Sequence, residues 1–261
     1  MPGQDLPSLK VQRREGRYAR GHEVYEQILR ATLLVLVEGG ASALTMRRIA
    51  TECGVQPGHL AYYFKSRQEL LRDLLDALVG EYVEALEAIV HRPGATVEER
   101  LEGAVMQIIA DISTKKTTRV FTELWAMSNH DEFVSERVEH LYKRGYAIFD
   151  ELIAALNPKL TQQDRVGVLL FIRSMLEGTT ISAGHGKPWR SALETMGKLA
   201  VKSLLAMIPA LEPGESGVFM GSWEGSADGS AWPLAVSEAG AADGAQHKPV
   251  AVGTNCSRFA M

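Results

Sequence analysis

The residues best suited to chemistry lie within a short stretch. They are Thr45 and Arg47, then Gln56, Pro57, Gly58, His59, Tyr62 and Tyr63, then Lys65 and Arg67. The apolar Leu60 and Phe64, four apart, mark one side of a short helix as its packed side, which turns Gln56, His59, Tyr62 and Tyr63 away from the core. Two tyrosines, a histidine and a glutamine are a costly set for a plain monomer surface. In a major groove they touch base edges, thymine methyls and phosphates. Gly58 has no side chain, so the helix can approach a backbone closely. Lys65 and Arg67, beside the amino terminus of the next helix, are placed to reach phosphates.

Other chemistries find less support. A helical metalloenzyme would show Glu-x-x-His pairs, but none of the seven histidines has a glutamate three positions before it. His-Glu-x-x-His, Gly-x-x-x-x-Gly-Lys and Gly-x-Ser-x-Gly are absent too. Glu136 and His140, one turn apart, read as a solvated pair rather than a metal site. No catalytic residue, metal ligand or cofactor is expected. Two cysteines, Cys53 and Cys256, in unlike contexts indicate no disulfide framework. No signal peptide is evident, and no apolar stretch approaches the ~20 residues of a membrane span, so the cytoplasm is the default compartment.

Charge is unevenly spread. The 261 residues carry a net charge of -4, but residues 1–70 hold ten Lys+Arg against seven Asp+Glu, and the remainder eighteen against twenty-five. The positive field thus sits at the end where phosphates would bind.

Apolar spacings of three and four recur along the chain, while strand signals are nearly absent, so the expected fold is all-α with about nine helices. Residues 1–21 read as a flexible basic arm. Helix one is expected over 22–38, burying Val24, Ile28, Ala31 and Val35 and stopping at Gly39-Gly40. The second begins after Thr45, an N-cap, and closes at Gly54. The third covers about 56–63. The fourth opens on a capping box at Ser66-Arg67-Gln68-Glu69 and runs to Val90. A second capping box, Thr96 to Glu99, opens a helix to about Ser113, and others fit 116–128, 131–156, 161–183 and 189–208. Domains follow as 22–70, a helix-turn-helix, and 71–211, a larger helical domain. Residues 212–261, rich in Gly, Ala and Ser without helical period, read as a disordered tail.

The segment Leu44-Thr45-Met46-Arg47-Arg48 followed by Gly54-Val55-Gln56-Pro57-Gly58-His59-Leu60-Ala61-Tyr62-Tyr63-Phe64 resembles the TetR family of bacterial transcriptional regulators. Gly54, Val55, Gly58, Leu60, Phe64 and Leu70 match the family pattern. The chain departs from it with Gln56 for Ser, Ala61 for Tyr, Tyr63 for His and Arg67 for Lys. Tyr63 and Arg67 keep the chemistry, whereas Ala61 removes a phosphate contact and Gln56 alters the capping of the reading helix. The resemblance implies that Thr45 and Arg47 contact backbone or base edges. It puts Gln56, Pro57, His59 and Tyr62 on bases and Tyr63, Lys65 and Arg67 on phosphates.

It further implies a homodimer made through the last two helices, with Leu169, Ile172, Met175 and Leu176 on one and Met196, Leu199, Ala200 and Leu204 on the other. Such a dimer reads a palindromic double-stranded operator at multiples of the ~34–36 Å helical repeat. The middle helices would enclose a small-molecule effector among Phe121, Trp125, Met127, Asn129, Tyr142, Tyr146, Phe149 and Met175, with Glu123 or Glu177 as a polar anchor. The segment around Glu123-Leu124-Trp125 is similar to the ligand domain of choline-responsive regulators, a likeness that names no ligand for this chain. The implied function is repression released by the effector. A TetR-like chain acting only through protein contacts is the alternative, and the basic, aromatic reading face argues against it.

Overall fold

Small polar residues and glycines set the helix ends in this chain. The computed structural model describes Leu9 and residues 19–217 and holds nine α-helices, with no strand among the described residues. They are α1 (Ala19–Gly39), α2 (Met46–Cys53), α3 (Pro57–Tyr63), α4 (Arg67–Val90), α5 (Val97–Ile112), α6 (Lys115–Ser128), α7 (Glu132–Leu156), α8 (Gln162–Ala183) and α9 (Leu193–Ala210). Thr45, Ser66, Thr96, Thr114, Asp131 and Thr161 each accept the amide three residues on and so cap α2, α4, α5, α6, α7 and α8.

The differences from expectation are local. Ala19–Gly21, read as arm, form the first turn of α1, and Leu9 is buried in the N-terminal core. The rest of the arm lies outside the described residues. The Ser66 box closes unevenly: the Glu69 carboxylate takes the Lys65 amide at 2.8 Å, one residue before the cap. Short 3₁₀ turns precede α2 (Ala41–Ala43) and α9 (Arg190–Ala192). The last helix, expected to end at residue 208, runs on to Ala210 with Pro209 inside it one residue from the end, where its missing amide forfeits a single bond. Within the span read as tail, residues 212–217 are described, and the Gly214 amide donates to Asp164 Oδ1 at 3.0 Å. The remainder lies outside the described residues.

One core joins α1–α3 and the first half of α4 through Ile28, Leu29, Leu33, Leu36, Ile49, Leu60, Phe64, Leu70 and Leu74. Val120 and Leu124 of α6 and Val134 and Val138 of α7 complete it. The α5–α9 half is bound by Leu101, Ala104, Val105, Val168, Leu204 and Ile208, all buried. Contrary to the expectation of no span-length apolar stretch, α8 is long and apolar enough by composition to cross a membrane, with mean hydropathy 1.3. The cause is that α8 is apolar on both sides. Val168, Leu169, Ile172 and Leu176 face inward, while Phe171 and Ile181 are exposed.

That rotation corrects the α8 part of the expected pairing face, while on α9 Met196 and Leu199 are open as expected but Ala200 and Leu204 are not. Leu169, Ile172, Leu176, Ala200 and Leu204 are buried within the chain, whereas Phe171 and Ile181 of α8 and Met196 and Leu199 of α9 lie open.

Candidate nucleic-acid interface and ligand cavity

The α2–α3 unit is positioned by its ends. Thr45 Oγ1 accepts the Arg48 amide at 3.2 Å. Gly54, left-handed at φ 73, ends α2, and the next amide, Val55, returns to the Ala50 carbonyl at 3.0 Å. A left-handed residue there favours glycine because a Cβ would meet the carbonyl oxygen. Pro57, at the first helical position, starts α3 with φ already set. Gln56 caps it by backbone alone, with no side-chain hydrogen bond, so its amide group is left for other partners. Thr45→Ala is expected to cost about 1 kcal/mol, checked as a lower urea midpoint with an unchanged slope.

Leu60 and Phe64 are fully buried against α1 and α2. The Phe64 ring stacks on Tyr25 at 5.2 Å, and Tyr25 Oη donates to the buried Asp73 carboxylate of α4 at 2.6 Å. The opposite side of α3 is open, with Gln56, Pro57, Gly58, His59 and Lys65 exposed and Tyr62 74% exposed. No neighbouring atom crowds Gly58. Thr45 and Arg47 are exposed at the start of α2. Tyr63 departs from expectation: it is half-buried against the core, with its ring edge-on to both His59 and Tyr62 at 5.4 Å. Arg67 is also half-buried.

A second feature lies among α4–α8: an apolar cavity of about 160 Å³. Phe121, Trp125, Tyr142, Tyr146, Phe149 and Glu177 line it as expected. Asn129, Met175, Met127 and Glu123 do not. Asn129 is the exposed C-cap of α6, and Met127 packs on the N-terminal core. Met175 lies one position off the inward stripe of Ile172 and Leu176. Sequence reasoning missed Tyr82, Asp111, Thr117 and Arg173, which also line the cavity.

The polar groups of the wall are tied to one another. Trp125 Nε1 donates to Tyr142 Oη at 2.8 Å, and Tyr82 Oη lies 2.8 Å from Thr117 Oγ1. Arg173 donates from Nε to Glu177 Oε1 at 2.8 Å and from Nη1 to Tyr146 Oη at 3.1 Å. Its guanidinium sits 3.8 Å from the centre of the Tyr142 ring. Burial pushes the Tyr142 phenol well above its ordinary range, with the Glu177 charge adding to the effect, and pushes Tyr146 up to about 12. Burial opposes the charge on Arg173, but Glu177 and the two tyrosines more than offset it, so the guanidinium stays charged. The Asp111 carboxyl is raised by burial, against the Gln107 amide and the Lys116 charge.

Helix α6 touches both features. Thr117, Phe121 and Trp125 line the cavity, while Lys115, Arg119 and Glu123 face the end of α1. Glu123 Oε2 accepts the Ala41 amide at 2.7 Å beside Gly40, which is left-handed at φ 71.

Two family models match the chain. Residues 28–74 match the bacterial regulatory proteins of the tetR family, and residues 97–206 match the C-terminal region of the BetI-type transcriptional repressors. Among curated relatives, the fatty acid metabolism regulator protein of Bacillus subtilis is 23% identical over 129 residues, covering 49% of this chain and 66% of its own length. The match therefore spans just under two thirds of that relative. The HTH-type transcriptional regulator BetI of Cronobacter sakazakii is 25% identical over 193 residues, covering 72% and 93%. Two solved structures share the fold. A regulator FadR from Bacillus subtilis in complex with stearoyl-CoA has a TM-score of 0.57 at 19% identity, covering 70% of this chain and 98% of that one. A transcriptional regulator from Saccharomonospora viridis in complex with choline has a TM-score of 0.59 at 19% identity, covering 70% and 96%.

Proposed function

This chain belongs to the TetR family of bacterial transcriptional regulators, and from that premise we propose that it is a homodimeric repressor released from a palindromic operator by a small molecule in its cavity. The observation that carries the DNA-binding part is the α3 surface. Gln56, His59 and Tyr62 stand exposed on a short helix whose other side is fully buried, so the helix enters a groove with its packing intact. In this reading Gln56, Pro57, His59 and Tyr62 meet bases. Thr45, Arg47, Lys65 and Arg67 hold phosphates, and the half-buried Tyr63 reaches a phosphate from the edge of the helix. Gly58 admits the backbone.

Dimerisation is supported by the open apolar residues Phe171, Ile181, Met196 and Leu199 on α8 and α9, which a second copy would cover. Release is supported by the apolar cavity and by α6, which joins it to the end of α1.

The test uses duplex fragments of the DNA upstream of the chain's own gene. The full chain is expected to bind one fragment specifically, with affinity falling steeply as salt rises. Arg47→Ala should weaken binding and reduce the salt slope by about one. No specific fragment, or binding insensitive to salt, would overturn the reading.

A further inference from the structure

A cavity walled by aromatic rings and carboxylates invites a cationic ligand, and one solved structure of this fold holds choline. A quaternary ammonium ion is recognised by open ring faces, and a nearby carboxylate adds to the attraction. In this chain that position is already filled. The Arg173 guanidinium lies 3.8 Å over the Tyr142 ring, bonds Glu177 at 2.8 Å and stands 3.7 Å from Glu139. The arginine side chain is only 20% exposed, so it is held at the wall rather than free to swing into water. The second lining carboxylate, Asp111, takes the Gln107 amide at 3.2 Å and feels the Lys116 charge. Of the two lining carboxylates, Glu177 is thus paired with a cation of the chain itself, while Asp111 is held by a neutral amide, its neighbour Lys116 being bonded to Glu81 at 2.9 Å.

We infer that the effector of this cavity is an uncharged, mainly apolar small molecule, and that Arg173 acts as a built-in cation that excludes quaternary ammonium ligands. This rests on the reading of the chain as an effector-responsive regulator, and deepens it. A cationic ligand would shed its water shell and find the Tyr142 face and the Glu177 carboxylate already occupied by Arg173, a cost that a neutral ligand of the same shape avoids. A neutral body gains from burial against Phe121, Trp125 and Phe149 in proportion to its apolar area. An anion fares no better. The donors of Arg173 are already engaged by Glu177 and Tyr146, with Glu139 at 3.7 Å.

The experiment compares choline with 3,3-dimethylbutan-1-ol, the alcohol in which carbon replaces the charged nitrogen. Both carry nine equivalent methyl protons, and broadening of that signal on the full chain, without DNA, reads binding of each directly. The alcohol is expected to bind at least about tenfold more tightly than choline. Arg173→Met frees Glu177 and the Tyr142 face, so choline should gain about tenfold while the alcohol changes little. Arg173→Lys, which keeps the charge, should preserve the parent's preference. Circular dichroism confirms that each variant folds, and the parent comparison stands without any variant. Choline binding as well as the alcohol in the parent, no gain in Arg173→Met, or neither probe binding would each overturn the inference. Operator binding is measured separately, so loss of the ligand class leaves the regulator reading intact, and the converse also holds.

Discussion

A Phe64→Ala variant is expected to lose about 3–5 kcal/mol of stability and, with it, operator-specific binding. The expectation follows from how little else holds the reading helix. Helix α3 has seven residues, far below the length at which an isolated helix persists in water. Its order comes mainly from two fully buried side chains, Leu60 and Phe64, with the half-buried Tyr63 beside them. Phe64 is also the residue at which α3 ends, and its ring stacks on Tyr25, whose hydroxyl is fixed by Asp73. Removing the ring leaves a cavity bounded by α1, α3 and α4, and it unseats the aromatic stack that ties the end of α3 to Tyr25 of α1. Phe64→Leu keeps much of the volume, so it should retain most of the stability and specific binding with a modest loss of affinity. Urea unfolding followed by circular dichroism measures the first effect and gel shifts on the operator the second. A loss below about 1 kcal/mol for Phe64→Ala would show that α3 is seated by something other than this packing.

The reading helix was legible in the sequence because its determinants are local. Thr45, Gly54, Pro57 and Ser66 act on their own turns, and a cap or a left-handed glycine needs no knowledge of the rest of the fold. The pair Leu60 and Phe64 also set which side of α3 is buried. The cavity was legible only where aromatic residues cluster. Arg173 escaped notice because a charge in an apolar helix reads as a surface residue. Its partner Glu177, one turn on, gave the available signal. The α8 side of the pairing face was misplaced for a related reason. With apolar residues on both sides of α8, spacing does not distinguish Ile172, which faces the cavity, from Phe171, which faces out. Packing against α5, α6, α7 and α9 fixes that rotation. Asn129 and Met175 were misplaced by position alone, one past the end of α6 and the other one step off the inward stripe of α8.

The second large effect concerns communication between cavity and reading helix. In α6 the cavity-lining residues Thr117, Phe121 and Trp125 and the α1-facing residues Lys115, Arg119 and Glu123 each repeat every four positions. The two sets are offset by two residues, which puts them on opposite sides of the helix. Displacement of one side by a ligand therefore moves the other. On that other side, Lys115 bonds Glu38 at 2.6 Å and Arg119 bonds the Val37 carbonyl at 2.8 Å. Glu123 takes the Ala41 amide at the turn leading to Thr45 and α2. Lys115 and Arg119 are surface pairs, screened and individually weak. The Glu123 bond is charge-assisted and, alone of these three, is made to the turn beyond α1 that leads into α2. The turn is built around it. A Cβ on Gly40 would come within 2.9 Å of the Glu123 carboxylate, at a φ that glycine alone adopts readily.

Glu123→Ala is accordingly expected to leave ligand binding to the free chain within about threefold. The ligand's effect on operator affinity should fall from the order of a hundredfold, or ~2.7 kcal/mol, to below about fivefold. Operator titrations with and without saturating ligand, on parent and variant, measure both quantities, and linkage requires the same factor when DNA is held fixed and ligand is titrated. An unchanged factor in Glu123→Ala would mean that the signal leaves the cavity along α4 instead. That helix also spans both regions, with Leu70 and Leu74 in the N-terminal core and Val79, Val83 and Leu86 on the cavity wall.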